Sequence, residues 1–578
     1  MLPGTRNVWR AARRQARRYH SEEDGSLIIF SLFIFIVMIM FGGIAVDLML
    51  YENRRTHIQN STDRAVLAAA NLNQTVDPKV VVQDYLAKVG IQVSQDDVDV
   101  YEVGTAPVIT GRQVSINVTG GFDTILMHLV GVDELPYNAS SEAEESVNDI
   151  EVSLILDVSG SMGWGTKMSD MQGAAKDFLD NILAGADDDR VSVSLVPYST
   201  QVSAGQGLLA ELTTHHNHSH SHCVNFVPDD FEHTAIHRQV QSVDNGGNPV
   251  WELDGDGNPV LDDDGNQIAV MEPISLSQTA HFDPWRSYNS GMSLYYPVCR
   301  SDADFHIDPW SNNLTNLKAQ IDGFSANGNT SIDVAMKWGT ALLDPSMRPA
   351  LNNLISNVNY DVDAAFAPRP HNYDYEDSLK FIVVMTDGIN TTQYRLKDPF
   401  KEGMSPYHRE PDGDIIVQGE IALDNNGINY VEPGDRDGSG GAYEQWYNVS
   451  RRNWKNTPET NTVQLSWLDA WANMTMSRRA YGAYHQTYSS GDFYDALYDP
   501  RVAINASTKD DQMDDICSAA KARGIVVFSI GFEVTDHSAD VMRDCASTPN
   551  HFYRVEGLDI EYAFASIANQ INQLKLTQ

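Results

Sequence analysis

No two cysteines of this chain stand in a Cys-x-x-Cys pair, and only four occur at all: Cys223, Cys299, Cys517 and Cys545. That excludes a zinc ribbon and a dithiol redox site. Basic residues are scarce too, 40 against 79 acidic ones, for a formal net charge of −39. A polyanion gains nothing by approaching a phosphate backbone, so nucleic acid is excluded as a partner. What the acid excess does supply is a solvated surface with an affinity for divalent cations. No acid precedes residue 20, where Arg6, Arg10, Arg13, Arg14, Arg17 and Arg18 stand instead. No charge of either sign interrupts "SLIIFSLFIFIVMIMFGGIAV", Ser26–Val46.

At about 1.5 Å of rise per residue that run crosses a hydrocarbon layer about 30 Å thick. It is longer than the apolar core of a cleaved signal, and no Ala-x-Ala-like site follows it. An arginine-rich flank on one side and a mixed or acidic one on the other place the N-terminus in the cytoplasm. The expectation is a basic cytoplasmic tail over 1–21, a single-pass signal anchor over 22–50, and an exported remainder. All four cysteines lie in that remainder, where an oxidising compartment favours two disulfides. Three pairings are open, of which Cys223–Cys299 with Cys517–Cys545 is the most local. The 42% apolar and 9% aromatic fractions are those of a folded protein. At 578 residues the chain exceeds one ordinary domain unless insertions absorb the length.

Helical patterning continues past the membrane run through "DLMLYENRRTHIQNSTDRAVLAAANLN" (47–73), with no Gly or Pro before Pro78. Strands are expected at "VDVYEV" (98–103) and "QVSINV" (113–118), and a short helix or buried strand at "FDTILMHLVGV" (122–132). Residues 51–148 therefore read as a long helix with a small α+β module. From residue 149 the rhythm changes to strand–helix alternation. Strands are expected at 150–157, 190–199, 379–388 and 525–533, and helices at 167–183, 314–324, 331–343, 513–524 and 560–574. This pattern predicts an α/β fold: a doubly wound, mostly parallel sheet over 149–578, with ligands at the carboxyl ends of its strands. Insertions interrupt it at about 203–312, 345–377 and 393–510.

Two strand ends carry the chemistry. "DVSGSM" comes after the strand 150–157, and "TDG" closes the strand 379–388. Asp157, Ser159 and Ser161 present three oxygens from one tight loop, which suits a hard cation such as Mg2+. Thr330, in "NGNTSID", opens a helix, and Asp387 closes a strand; both stand where the fold brings further oxygens to the same place. Asp-x-Ser-x-Ser, a Thr behind a glycine loop and Thr-Asp-Gly together resemble the von Willebrand factor A domain and its metal-ion-dependent adhesion site. The resemblance implies a Rossmann-like sheet and a metal held by Asp157, Ser159, Ser161, Thr330 and Asp387: Mg2+, with Mn2+ or Ca2+ as alternatives. It further implies direct ligation by the hydroxyls, with the aspartates acting mainly through water. One coordination position is then left for an Asp or Glu carboxylate of a protein partner. An aspartyl-phosphate loop is superficially similar, but that chemistry needs a further acid beside the nucleophile or a transport bundle, plus a positioned lysine, and one membrane helix cannot build a pump.

The remaining features read more plainly. Five histidines in "HHNHSHSHC" (215–223) lack a carboxylate or cysteine spacing for zinc and read as an exposed flexible loop. The "DGDGN" turns have Pro259 where a calcium-binding EF-hand needs Gly, and Gly265 where it needs Glu, so they read as hairpin turns. Trp446, Tyr447, Trp454, Trp467, Trp471, Tyr481, Tyr484 and Tyr488 read as the inserted segment's own core.

Gly25, Asp47, Asp63, Ala65 and Leu67–Ala70 are similar to the N-terminal segment of TadE/TadG-like proteins of the Flp (tight adherence) pilus machinery. The C-terminal stretch around Cys517 and Cys545 also resembles the TadG type, with those cysteines at its two cysteine positions. The combined likeness covers about 22–75, 149–200, 314–343, 379–392 and 513–576, and leaves the insertions outside. It implies a pilus-assembly or surface-attachment protein of the bacterial inner membrane, with a periplasmic or extracellular ligand-binding domain and no enzymatic turnover. An adhesin or sensor unrelated to pili is the alternative, and a phosphatase-like hydrolase using Asp157 a third.

Overall fold

The computed structural model describes residues 24–575 apart from 73, 75, 106, 107, 147, 184–189, 216, 217, 245–247, 253–258, 261–266, 286–290, 358, 359, 419–421, 425, 426, 430–445 and 488. The N-terminal arginines, His216, Gly265, Tyr488 and much of the Asp/Gly turns lie outside the described residues. Two compact units make up the chain, residues 1–147 and 148–577.

The first unit is organised on one 47-residue helix, α1 (Asp24–Ala70), in which the membrane-length run and the segment beyond it are continuous. Among the described residues it is the one helix long and apolar enough to cross a membrane. Leu27, Phe30, Phe33 and Phe41 are exposed along its first half, whereas Ile58, Ala65, Val66 and Ala69 are buried in its second. The buried face packs on α2 (Pro78–Lys88) and a three-stranded antiparallel sheet of β1 (Val98–Thr105), β2 (Val108–Asp123) and β3 (Glu134–Ser146). Helix α2 starts where it does because Asp77 accepts from Lys79 N at 2.8 Å and Pro78 fills the first helical position.

Residues 122–132 are not a single element: the short helix expected there is confined to four residues. Phe122 and Asp123 end β2, and Met127–Val130 make one 3-10 turn. Thr124 closes that loop by donating its backbone N–H to Asp133 O at 2.9 Å and its hydroxyl to Val132 O at 2.5 Å. Asp47 of α1 is fully buried against the same turn. Its carboxylate accepts from the backbone N–H groups of Ile125, Leu126 and Met127 at 3.2, 2.7 and 2.6 Å. Asp47 is thus a tie between helix and hairpin.

The second unit holds a six-stranded mixed sheet. Its strands are β4 (Asp149–Asp157), β5 (Val191–Tyr198), β6 (Asp308–Ser311), β7 (Ser378–Thr386), β8 (Val526–Phe532) and β9 (Phe552–Val555), in the order β6-β5-β4-β7-β8-β9. Five run parallel and β6 is an antiparallel edge. Leu154 pairs with Leu195 on one side and Val383 on the other, so β4 is central.

Alternate residues of β4 face opposite ways, as the two-residue period of a strand requires. Ile150, Val152, Leu154 and Leu156 pack with Phe178 of α3 (Lys167–Leu183) and Phe564 of α8 (Asp559–Lys575). Ile155 packs on the other face with Trp338 of α5 (Ile332–Ala341) and Ile516 of α6 (Ala506–Ala522). Helices α4 (Leu314–Asp322) and α7 (Asp536–Cys545) complete the two layers. Both disulfides lie in this unit, Cys223–Cys299 and Cys517–Cys545, which is the local pairing of the three open to the sequence.

The insertion-derived segments carry structure of their own. Trp471, Phe493 and Leu497 are buried in one cluster and Tyr407, Ile415 and Tyr447 in another. Trp467 lies half-buried against both. The histidine run is not a free loop. His218 and His220 are half-buried, with His218 Nε2 at 2.9 Å from Thr279 O and His220 Nε2 at 3.1 Å from Asp469 Oδ1. Partners supplied by distant segments hold it, and no local spacing announces them.

Candidate metal centre

Parallel strands β4 and β7 end side by side, so the loops that leave them meet at one edge of the sheet. Asp157 closes β4, and its carboxylate organises the loop after it. Oδ1 accepts from the backbone N–H of Ser159 at 2.8 Å, while Oδ2 accepts from Thr386 Oγ1 at 2.8 Å and Tyr198 Oη at 3.3 Å. With that turn fixed, Ser159 Oγ and Ser161 Oγ stand 3.2 Å apart, and Ser161 Oγ donates to Asp387 Oδ1 at 2.6 Å. Thr330 arrives from the loop before α5. A methyl group placed on Gly388 would lie 3.7 Å from Ser161 Oγ and 3.9 Å from Thr330 Oγ1, so both hydroxyls flank one glycine. All five positions singled out in the sequence are gathered at the carboxyl end of the sheet.

Backbone contacts set the Thr330 loop in place. Gly160 N donates to Gly328 O at 3.0 Å, and Gly328 has φ +88°, a conformation that favours glycine. Thr330 N donates to Thr391 Oγ1 at 2.9 Å, while Thr391 N donates back to Thr330 O at 3.0 Å. Lys509 of α6, fully buried, then clamps the pair. Its Nζ donates to Thr330 O at 2.7 Å, Ser331 Oγ at 2.6 Å and Thr391 O at 2.8 Å, with Asp333 at 3.7 Å. Burial pulls the Lys509 ammonium down to about 8.

Lys167, the first residue of α3, completes the centre from the other side. Its Nζ lies 3.1 Å from Asp387 Oδ2 and 3.5 Å from Glu533 Oε2. Lys167, Lys509 and Tyr198 are the positions that sequence reasoning passed over, because their roles depend on tertiary contacts and no local motif marks them; Thr386 stands in the Thr-Asp-Gly motif, but its bond to Asp157 is a tertiary contact too.

The donors fit a hard divalent cation. They are all oxygens, hydroxyl and carboxylate, and several are buried together. Burial and the charge of Asp387 push the Asp157 carboxyl up to about 6. Two carboxylates sharing an enclosed place with a single ammonium leave a local charge of about −1, which a cation relieves. Elsewhere, Glu410, Asp412 and Glu459 also cluster, but Lys455 Nζ already sits 2.6 Å from Glu410 and Arg451 2.6 Å from Asp412.

The family-model match falls within the first unit. Residues 25–72 match the family model of Flp pilus-assembly TadE/G-like proteins, a span that includes Asp47. No curated protein matches the chain. Among solved structures, the chain is similar to the vWF domain of the type V pili tip protein Mfa5 from Porphyromonas gingivalis. That match has 11% identity over 75% of this chain and 97% of that one, with a TM-score of 0.29. It is also similar to the PilB minor pilin from Streptococcus sanguinis, at 12% identity over 83% of this chain and 78% of that one, with a TM-score of 0.27.

Proposed function

We propose that this is a membrane-anchored, pilus-associated surface protein. In this reading its second unit is a von Willebrand A-type domain that holds a divalent cation and binds an acidic protein ligand. The TadE/G-like match over 25–72 supports the pilus link, and the apolar half of α1 supports a single-pass anchor in the bacterial inner membrane with the bulk of the chain exported. The mixed sheet with helices on both faces is compatible with a doubly wound fold.

The observation that carries the ligand-binding reading is the hydrogen-bonded chain Asp157–Ser159–Ser161–Asp387 beside Thr330. These residues would hold Mg2+, or Mn2+ in its place. A bound cation supplies Lewis acidity toward an incoming carboxylate oxygen. The chain's own part is to fix the hydroxyls. Asp157 orients the serine loop, Lys509 fixes the threonine loop, and Ser161 donates to Asp387, whose charge the Lys167 ammonium partly offsets. With one divalent ion the centre carries about +1, so an Asp or Glu side chain from a partner neutralises it. The site's task is therefore binding without turnover.

The test is Mn2+ binding to the full chain in nanodiscs, followed by electron paramagnetic resonance. We expect saturable binding at one site that Ser159→Ala weakens by about tenfold or more. No bound Mn2+, or binding indifferent to Ser159, would sink the reading.

A further inference from the structure

Four large apolar side chains stand exposed around the mouth of the candidate metal centre. Trp164 is 72% exposed, Tyr295 62%, Tyr296 51% and Ile389 39%. Exposed large hydrophobics are ordinary when scattered, but a set ringing a candidate ligand site points to a contact surface.

Their placement follows from the backbone of the centre itself. Trp164 N donates to Ser161 O at 3.0 Å, so the backbone of Trp164 closes the turn that presents the serines. Gly163, just before it, would bring a methyl group to 3.2 Å from the Cβ of Ala326, in the loop leading to Thr330. The next residue of that loop, Asn327, donates its backbone N–H to Val158 O at 3.0 Å and its side-chain amide to Tyr295 O at 3.1 Å. The first insertion thus delivers its two tyrosines to the serine loop. Their backbone N–H groups are pinned to buried Asp283 Oδ2 at 3.1 and 3.0 Å, so the rings project from a fixed base. Ile389 is contributed by the loop after β7, two residues after Asp387.

We infer that Trp164, Tyr295, Tyr296 and Ile389 form a specificity rim for a protein segment that presents an aspartate or glutamate flanked by apolar side chains. This rests on the metal-centre reading above, since the cation provides the charge that the acid complements. Trp and Tyr are the residue types that most often carry interface energy, because they bury large areas at small entropic cost. A rim of this kind rejects acids set in hydrophilic surroundings, because the exposed rings gain nothing from a hydrated neighbour. That also gives the first insertion a role, to widen the ligand surface of the sheet edge.

The test uses the full chain in nanodiscs and two fluorescent peptides, Gly-Ser-Leu-Phe-Asp-Leu-Gly-Ser and Gly-Ser-Ser-Gly-Asp-Ser-Gly-Ser, followed by polarisation in Mg2+. We expect the first to bind about tenfold tighter than the second. Trp164→Ala should erase that advantage while leaving Mn2+ binding unchanged, and replacing the peptide's Asp with Asn should abolish capture. Tyr296→Ala provides a second variant away from the serine turn, with an effect in the same direction. Equal binding of the two peptides, no binding of either by a chain that holds Mn2+, or preference for an oligogalacturonate over both overturns the rim. A chain that holds no Mn2+, or peptide capture unaffected by EDTA, instead overturns the metal-centre reading.

Discussion

Lys167 Nζ lies 3.1 Å from Asp387 Oδ2 while Ser161 Oγ donates to Oδ1 of the same carboxylate at 2.6 Å. One aspartate is therefore shared between a resident ammonium and the serine loop. The ammonium lowers the local anionic charge and so weakens the attraction for a second cation. Replacing Lys167 with Met removes that competitor and keeps the aliphatic stem. We expect Mn2+ to bind about three- to tenfold tighter to Lys167→Met, as for deleting a like charge a few ångströms away in a partly screened site. Isothermal titration would read it, and weaker binding would mean that Lys167 holds Asp387 in place more than it competes.

The central strands were legible because β4, β7 and β8 are buried on both faces and read as near-continuous apolar runs, broken only by single polar residues such as Glu151, Lys380 and Ser529. The edges were not. Strands β6 and β9 are four residues long, and "DPWS" and "FYRV" carry no period of their own. Strand β3, "ELPYNASSEAEES", hides its buried face in small residues, with Ala139, Ser141 and Ala143 turned inward and Ser140 and Glu142 between them. The same division holds at the candidate site. Asp157, Ser159, Ser161, Thr330 and Asp387 stand in short motifs at element ends. Lys509 lies within a polar helix, "ASTKDDQMDDICSAAKA", where nothing local distinguishes it from a solvated lysine.

That buried lysine gives a second expectation. Lys509→Met strips three hydrogen bonds from the Thr330 and Thr391 loops and removes the nearest cation from buried Asp333, leaving Arg395 as the other positive charge acting on it. Breaking a buried charge pair from one side costs about 3–5 kcal/mol. Chemical denaturation should show a loss of that order. In the fraction that stays folded, Mn2+ affinity should fall with it, because Thr330 loses its anchor. Unchanged stability would mean that Lys509 is dispensable to those loops.

Asp47 is a comparable tie in the first unit, and it falls inside the span matching TadE/G-like proteins. Asp47→Ala leaves the N–H groups of Ile125, Leu126 and Met127 without their acceptor. Buried donors left unpaired cost about 1–3 kcal/mol each at most, and water reaching the turn reduces the sum. We expect faster hydrogen exchange at Ile125–Met127 in nanodiscs, with Asp47→Asn intermediate because one carbonyl oxygen remains. Exchange as slow as in the native chain would show that the turn stands without the tie.

The amino end of the sheet offers the clearest pH dependence. Asp149 meets Arg190 at 2.8 Å, His371 at 3.0 Å and Arg369 at 3.3 Å. Burial pushes its carboxyl up, but His371, Arg369 and Arg190 together outweigh that and hold it below the ordinary range. A depressed carboxyl stabilises the fold above its unfolded pKa of about 3.9, and the contribution fades as pH falls through the folded value. Asp149→Asn should therefore cost about 3 kcal/mol at neutral pH. The gap between native chain and variant should hold from about pH 8 to 5 and close below about pH 4. Denaturation curves at stepped pH would read it. A gap that persists at the acid end would assign the effect of Asn to lost packing, because a protonated Asp149 would no longer differ from it in charge.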